Sequence, residues 1–256
     1  TYKYNNADKQ LFPRMGDDTQ NRPEKYRMWI NKPTGKPNFF DNVEFFFKYQ
    51  LGWMYWRYFA WNFIGRQNDE QGYYAWDKTA GHWESGIPFI DSWRLYPMEK
   101  LPDVRKNDPT RNHYYFLPFI LGILGLLFHF KQRPNEFFAL FVMFLITGIG
   151  IIVYSNQPPN EPRERDYVLV GSFFTFCIWI GMGALWIFES LRRKMGQTGA
   201  AALAVVLGLI PPIIMGAENW DDHSRAGHYG ARDYAANFLE SCAPNAVIFT
   251  YGDNDT

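Results

Sequence analysis

Cysteine is almost missing from this 256-residue chain. Cys177 falls in an apolar run and Cys242 in a polar tail, which excludes a disulfide framework and any cysteine-based metal site and leaves two free thiols. Net charge is missing as well, because 26 Lys and Arg balance 26 Asp and Glu, so the charge gives no reason to expect a nucleic-acid partner. There is no glycine-rich phosphate loop and no Ser/His nucleophile elbow. Inside the long apolar runs ionisable groups are scarce beyond His129, near the end of one. That argues against a transporter, whose pathway is built from intramembrane charge.

The averages conceal two unlike halves. A mean hydropathy of −0.33 suits a water-soluble domain, yet residues 1–112 are polar and rich in Asp, Lys, Arg, Asn and Pro, while residues 113–217 are mostly apolar. Aromatic residues make up 19% of the chain, about double ordinary usage. Trp and Tyr at that density suit a membrane–water interface.

Residues 1–40 show no sustained period and several turn formers, including Pro13, Pro23, Pro33, Gly35 and Pro37, so they read as extended and irregular. Asp41 and Glu44 then offer a capping box, opening a very aromatic helix over residues 42–64. Lys48, Gln50, Arg57 and Asn62 make this helix a poor membrane span; it is expected to lie in the interface or beneath an extramembrane domain. Helical spacing puts Gln50 and Arg57 on one face. Arg57 there has two readings, a contact to a lipid phosphate or a stack on a neighbouring ring. Residues 65–112 read as loops.

Four apolar runs follow, over about 113–130, 136–155, 167–189 and 199–217. Each approaches the roughly 20 residues that cross about 30 Å of hydrocarbon. Pro211-Pro212 should kink the last, and Gly171, Ser172, Gly181, Gly183 and Ala184 suit the third to close packing. The links carrying Lys131, Arg133, Arg192, Arg193 and Lys194 hold no acid and should face the cytoplasm. Both polar ends then face outward, into the periplasm of a Gram-negative cell. The fold class expected is mainly α and polytopic: an extramembrane region over 1–112, four transmembrane helices over 113–217, and the start of an α/β soluble region over 218–256. The chain opens at Thr1 with no initiator Met or signal peptide and stops after a strand-like run, so it is expected to be a segment of something longer.

Three constellations stand out. The loop Asn156–Tyr167 is stiffened by Pro158, Pro159 and Pro162 and carries Glu161, Arg163, Glu164, Arg165 and Asp166. Guanidinium would hold a donor phosphate and carboxylate would orient it or bind sugar hydroxyls; a solvated loop of internal ion pairs is the plainer reading. Asp221, Asp222 and His223 offer a base or ligands to a divalent cation, or simply cap and pair near a helix over 231–239. The run 246–251 reads as a buried strand ending in the turn Gly252-Asp253-Asn254-Asp255, where Asp253 and Asp255 are candidates for a ligand or metal site or form a plain turn.

Taken together, the stretches Phe46–Gln50, Tyr55–Phe59, Trp61–Asn68, Asn156–Tyr167, Asn219–His223 and Ser241–Thr256 resemble a bacterial multi-span membrane family. It was long catalogued as a domain of unknown function, and is related to the eukaryotic transmembrane O-mannosyltransferase of plexin-type receptors. The strings NQPPNEPRERDY and GDNDT carry most of the specificity. The resemblance implies a GT-C fold, an outward-facing site, and a polyprenyl-phosphate sugar as donor for the Ser or Thr of exported proteins. Similar enzymes keep a catalytic Asp or Glu in the first outward loop, which this chain is expected to lack, so no catalytic base is assigned. They also pair outward-loop Arg with the donor phosphate; Arg163 and Arg165 match best, followed by Arg66 and Arg57. Membrane lipid, the lipid-linked donor, an exported acceptor and the protein translocon are the partners implied. The competing class is a non-catalytic accessory subunit of a translocation or secretion complex, in which the aromatic belt serves docking.

Overall fold

The computed structural model describes residues 9–19, 21–160 and 166–249. Its contacts divide the chain into two compact units, Thr1–Asp221 and Asp222–Thr256. The architecture is mainly helical.

In the first unit, helix α1 (Arg22–Ile30) begins with Pro at its first turn and ends at Asn31 in the left-handed conformation, φ 50°. Helix α2 (Phe39–Phe45), a π-helical stretch (Phe46–Arg57) and helix α3 (Tyr58–Phe63) then form one continuous aromatic rod. Its start is set by Asn38, whose side chain accepts the Asp41 N–H at 3.0 Å while the Asp41 carboxylate accepts the Asn38 N–H at 2.7 Å. The capping box thus lies three residues earlier than Asp41 and Glu44 suggested, because Asn38 caps as well as Asp and Lys32 anchors Asp41 by a salt bridge.

The rod has two apolar faces. Phe45, Tyr49 and Trp53 pack with Tyr26, Trp29 and Ile30 of α1. Tyr55, Phe59 and Phe63 pack with Phe137, Phe144, Ile152, Leu169, Phe176 and Trp179 of the apolar helices. In this rod Gln50 donates to Asn156 and Arg57 to the Gly81 carbonyl. The wider π turn moves residues seven apart off a common face.

Strand β1 (Gly65–Arg66), helices α4 (Pro88–Arg94) and α5 (Asp103–Lys106), and strand β2 (Asn112–His113) form a small platform, with β1 and β2 antiparallel. Helix α6 (Leu117–Gln132) leads through Arg133 into α7 (Pro134–Leu145), a π turn (Ile146–Gly150) and α8 (Ile151–Ser155). Helix α9 (Val170–Glu218) is followed by α10 (Trp220–His223). α6 packs closely along α9: a Cβ on Gly125 would fall 1.8 Å from the Trp179 carbonyl oxygen, and one on Gly183 would fall 2.2 Å from that of Leu121. Only glycine permits backbones to come so near, the small-residue packing typical of helices in lipid.

Among the described residues two helices are long and apolar enough to cross a membrane, Pro134–Ser155 and Tyr167–Glu218. Only 22% and 17% of their most apolar windows are buried. The core helix of a soluble protein would be mostly covered, whereas these two leave most of their apolar surface open. Among the described residues two helices, not the four spans expected, meet that length and apolarity. Residues 113–116 belong to the platform and its exit, where Tyr115 and Phe116 have positive φ, leaving α6 with 16 residues, roughly 24 Å at 1.5 Å per residue. The third and fourth expected spans are one helix folded at Gly196, φ 77° and ψ 170°. Backbone angles stay helical through Pro211 and Pro212, so the break falls at Gly196 instead. Gly208 comes against Ala184, 2.9 Å from the position of its would-be Cβ, so the two arms touch.

The first unit also corrects the irregular reading of residues 1–40. Helix α1 lacks an apolar period, and its signals were Pro at the first turn, Glu24 behind it and Asn31 at the C-terminal cap. In the second unit, helix α11 (Gly230–Glu240) is present, but residues 246–249 form no strand, and Val247 and Phe249 are 77% and 93% exposed. A strand needs a partner for its backbone groups, and none lies among the described residues.

Replacing Gly125 by Ala should push α6 from α9 and lower stability by about 1–3 kcal/mol. Gly216, with nothing within 4 Å of its would-be Cβ, should accept Ala unharmed. Thermal midpoints in detergent check this; equal midpoints would mean the close packing is not as described.

Candidate functional site

The platform is built around the buried carboxylate of Glu84. The Glu84 N–H donates to the Gly65 carbonyl at 3.0 Å and the Tyr115 N–H to the Ser85 carbonyl at 3.0 Å, so residues 84 and 85 lie between the two edges of the chain. Glu84 is 1% exposed. Its Oε1 accepts the Arg111 Nε–H at 2.8 Å, a second bond from Arg111 Nη2, and the His113 Nε2–H at 2.8 Å. Its Oε2 has no hydrogen-bond partner among the described residues. Nearby Arg94 lies 3.6 Å above the Trp83 ring. Its Nε and Nη2 are buried and lack hydrogen-bond partners among the described residues. Burial pushes the Arg94 guanidinium down to about 10, against the pull of the Asp91 and Glu84 carboxylates. Asp91 holds the turn into α4 by accepting the Ser85 and Gly86 N–H groups at 2.9 and 2.8 Å.

This cluster is tied to the C-terminal end of α9. The His113 N–H donates to the Glu218 carboxylate at 3.0 Å, Asn112 donates to Asn219 at 2.9 Å, and Asn219 donates to the Tyr114 hydroxyl at 2.7 Å. Directly beneath runs an apolar groove of about 570 Å³, lined by Phe63, Pro118, Cys177, Gly181, Gly208 and Met215 among others. Met215 lines the groove and gives its carbonyl to Asn219 at 2.7 Å. Asn219 therefore links the groove's lining to the platform.

The Pro-rich loop stem docks on the same end of the first unit. Asn156 accepts from Gln50 at 2.9 Å, the Pro158 carbonyl from the Tyr49 hydroxyl at 3.2 Å, and Asn160 donates to the Tyr74 hydroxyl at 2.8 Å. The rod thus touches the loop at Gln50 and the platform at Ile64, whose carbonyl accepts the Tyr114 N–H at 3.0 Å. It lies across the ends of the apolar helices. Glu161, Arg163, Glu164 and Arg165 fall outside the described residues, as do the Asp166 side chain, Asp253 and Asp255.

Arg57 is 5% exposed, donates to the Trp53 and Gly81 carbonyls at 3.1 and 2.8 Å, and lies between the Trp53 and Trp61 rings. Of its two readings, this is the ring stack. Arg66 donates to the Thr110 carbonyl at 2.9 Å from within the platform. Asp222 accepts from His223 Nδ1 at 2.6 Å in the one-turn helix α10. Among the described residues no three His, Cys, Asp or Glu side chains are grouped as metal ligands would be.

The charged residues that the platform brings together, Glu84, Arg94, Arg111, His113 and Glu218, escaped the sequence reading. One signal was available: Glu84 sits in His82-Trp83-Glu84-Ser85-Gly86, a carboxylate hemmed by rings and tight turns, which favours burial with a partner.

Comparison with known proteins matches residues 231–256 to TMEM260-associated domain 2 and residues 1–47 to a family of unknown function (DUF8416). No curated protein and no solved structure matches the chain.

His82 supplies a pH handle on the platform. It is buried against the Trp53 ring and donates from Nε2 to the Asp77 carbonyl at 2.8 Å. Burial pushes its pKa from 6.5 down to about 4. The unfolded chain therefore binds the proton first, so the His82 contribution is complete above pH 6.5 and drains away between 6.5 and 4, on the order of a few kcal/mol. Asp77, held low by the Thr79 hydroxyl, responds only below its ordinary 3.8. The thermal midpoint should drop across that window, and His82→Gln should flatten the drop. An unchanged slope in the variant would remove His82 from the acid response.

Proposed function

We propose that this chain is part of a GT-C-type membrane glycosyltransferase that moves a sugar from a polyprenyl-phosphate donor to Ser or Thr of exported proteins. One observation supports the reading: an apolar groove of about 570 Å³ opens among the apolar helices, and Asn219, bonded to its lining residue Met215, joins it to the platform that holds Glu84 and Arg111. A lipid-linked sugar has that same division, hydrocarbon joined to phosphate and hydroxyls. The match of residues 231–256 to TMEM260-associated domain 2 supports it, together with the resemblance of the loop and tail motifs.

In this reading the α7–α8 helix and the folded helix α9 cross the bilayer, with the shorter α6 packed along α9. The basic turns at Arg133 and Arg192–Lys194 face the cytoplasm, and the platform and Pro-rich loop face the periplasm of the bacterial inner membrane. The groove takes the polyprenyl chain. Arg163 and Arg165 take the donor phosphate, where negative charge grows as the anomeric C–O bond breaks. The acceptor hydroxyl oxygen forms the new bond with inversion, its proton passing to a carboxylate base and the lipid phosphate leaving. Glu84 accepts from Arg111 and His113 through Oε1, and its Oε2 is placed to accept from a hydroxyl group.

The accessory-subunit reading rests on the exposed rings of Phe40, Phe89 and Trp93, a surface for docking beside a translocon.

Sugar transfer from a polyprenyl-phosphate donor, measured with the full-length protein in vesicles, separates the two. Arg163→Ala and Arg165→Ala should each lower kcat by about 10²-fold or more. Gly181→Leu, which lines the groove and has nothing within 4 Å of its would-be Cβ, should raise KM for the donor with little change in kcat. Wild-type rates in both Arg variants would remove those residues from the mechanism; no transfer by the wild type would favour the accessory role.

A further inference from the structure

A second cavity lies at the opposite end of the apolar helices. It holds about 390 Å³ between the turn joining α6 to α7 and the end of the first arm of α9, and His129, Arg133, Glu136, Glu189 and Arg192 line it. It shares no lining residue with the groove beneath the platform.

The buried member is His129, 4% exposed. The Trp179 indole N–H donates to His129 Nδ1 at 3.2 Å. Indole nitrogen is a donor only, so Nδ1 must be the unprotonated acceptor and the ring proton sits on Nε2. That Nε2–H is buried and has no hydrogen-bond partner among the described residues. A donor left so is costly, and it marks a place for an acceptor.

What kind of acceptor follows from the rest of the lining. Arg133 pairs with Glu136 at 3.4 Å, both largely open to solvent, and Arg192 with Glu189 at 2.8 Å, both more than half covered. Two guanidiniums and an imidazole N–H suit a phosphate. Two carboxylates beside them suit an ammonium. Phe128, Met182 and Leu185 complete the wall, an apolar edge where the helix bundle meets its apolar surround. One small group combines these demands: a phosphodiester joined to a primary amine and to hydrocarbon.

We propose that this cavity binds the headgroup of an aminophospholipid of the phosphatidylethanolamine class, with the phosphate on His129 Nε2–H, Arg133 and Arg192 and the ammonium on Glu136 and Glu189. The site is independent of sugar transfer and sits on the other end of the helices. It would seat one lipid at the fold's basic end and pin the turn between α6 and α7 against the first arm of α9.

The test is the thermal midpoint of the full chain in a non-ionic detergent, titrated with short-chain phosphatidylethanolamine, phosphatidylcholine, phosphatidylglycerol and soluble phosphorylethanolamine. Phosphatidylethanolamine should raise the midpoint saturably, and the other lipids should need at least tenfold more for the same shift. Arg192→Gln should weaken the effect about tenfold or more, and Glu189→Gln should narrow the gap between ethanolamine and choline headgroups. Because His129 variants also lose the Trp179 contact, the Arg192 and Glu189 variants carry the decision. Soluble phosphorylethanolamine acting at the same concentration would overturn the lipid assignment. Equal shifts by all lipids, or a shift untouched by Arg192→Gln, would overturn the site. No sugar substrate enters the measurement, so its failure leaves the transferase reading standing.

Discussion

The packing of Tyr55, Phe59 and Phe63 against the rings of the apolar helices is the contact on which the rest of the first unit depends. Phe59 alone stacks or edges against Phe144, Phe173 and Phe176, and the Tyr55 hydroxyl bonds Ser172 at 2.6 Å inside that cluster. The opposite face of the same rod holds α1. A polar region and a set of membrane-type helices have little reason to adhere, since one prefers water and the other hydrocarbon. Rings on both sides of one helix let a single element belong to both, each buried aromatic bringing large area at low entropic cost.

That arrangement also decides where polar groups can be buried. With the rod lying across the helix ends, the chain emerging at Gly65 is forced beside the chain entering α6, and Glu84 is trapped between them. A carboxylate placed there is tolerable only with strong hydrogen-bond donors at hand, which Arg111 and His113 supply. The bonds from His113, Asn112 and Tyr114 to Glu218 and Asn219 then fix the end of α9 against the platform. The groove beneath exists because Gly181 and Gly208 withhold side chains where the two arms of α9 approach. Apolar groove and polar cluster are thus two results of one packing solution.

Much of the helical content was legible in the residues. The apolar runs mark α7–α8 and both arms of α9 within a few positions, because a membrane-type helix announces itself by composition alone. The aromatic rod was legible as well. What escaped was local and long-range in turn: α1, written only in its caps; the fold at Gly196, where a run of basic residues read as a loop stays helical up to the glycine; and the failed strand at 246–249, whose apolar residues have no partner among those described. Of the candidate residues, Arg57 and Arg66 stood behind Arg163 and Arg165 for the donor phosphate, and their guanidiniums donate to the Gly81 and Thr110 carbonyls.

By itself the sequence determined which segments shun water, how they are periodically arranged, and that ring-rich residues bridge the two environments. Those properties belong to each segment and need no neighbour. Only the tertiary structure decided that Glu84, Arg111, His113 and Glu218 converge, that α9 doubles back, and that His129 Nε2–H faces a second cavity. Such facts depend on which distant segments meet, and burial turns an ordinary charged residue into a site only once its partners have been brought within hydrogen-bonding reach.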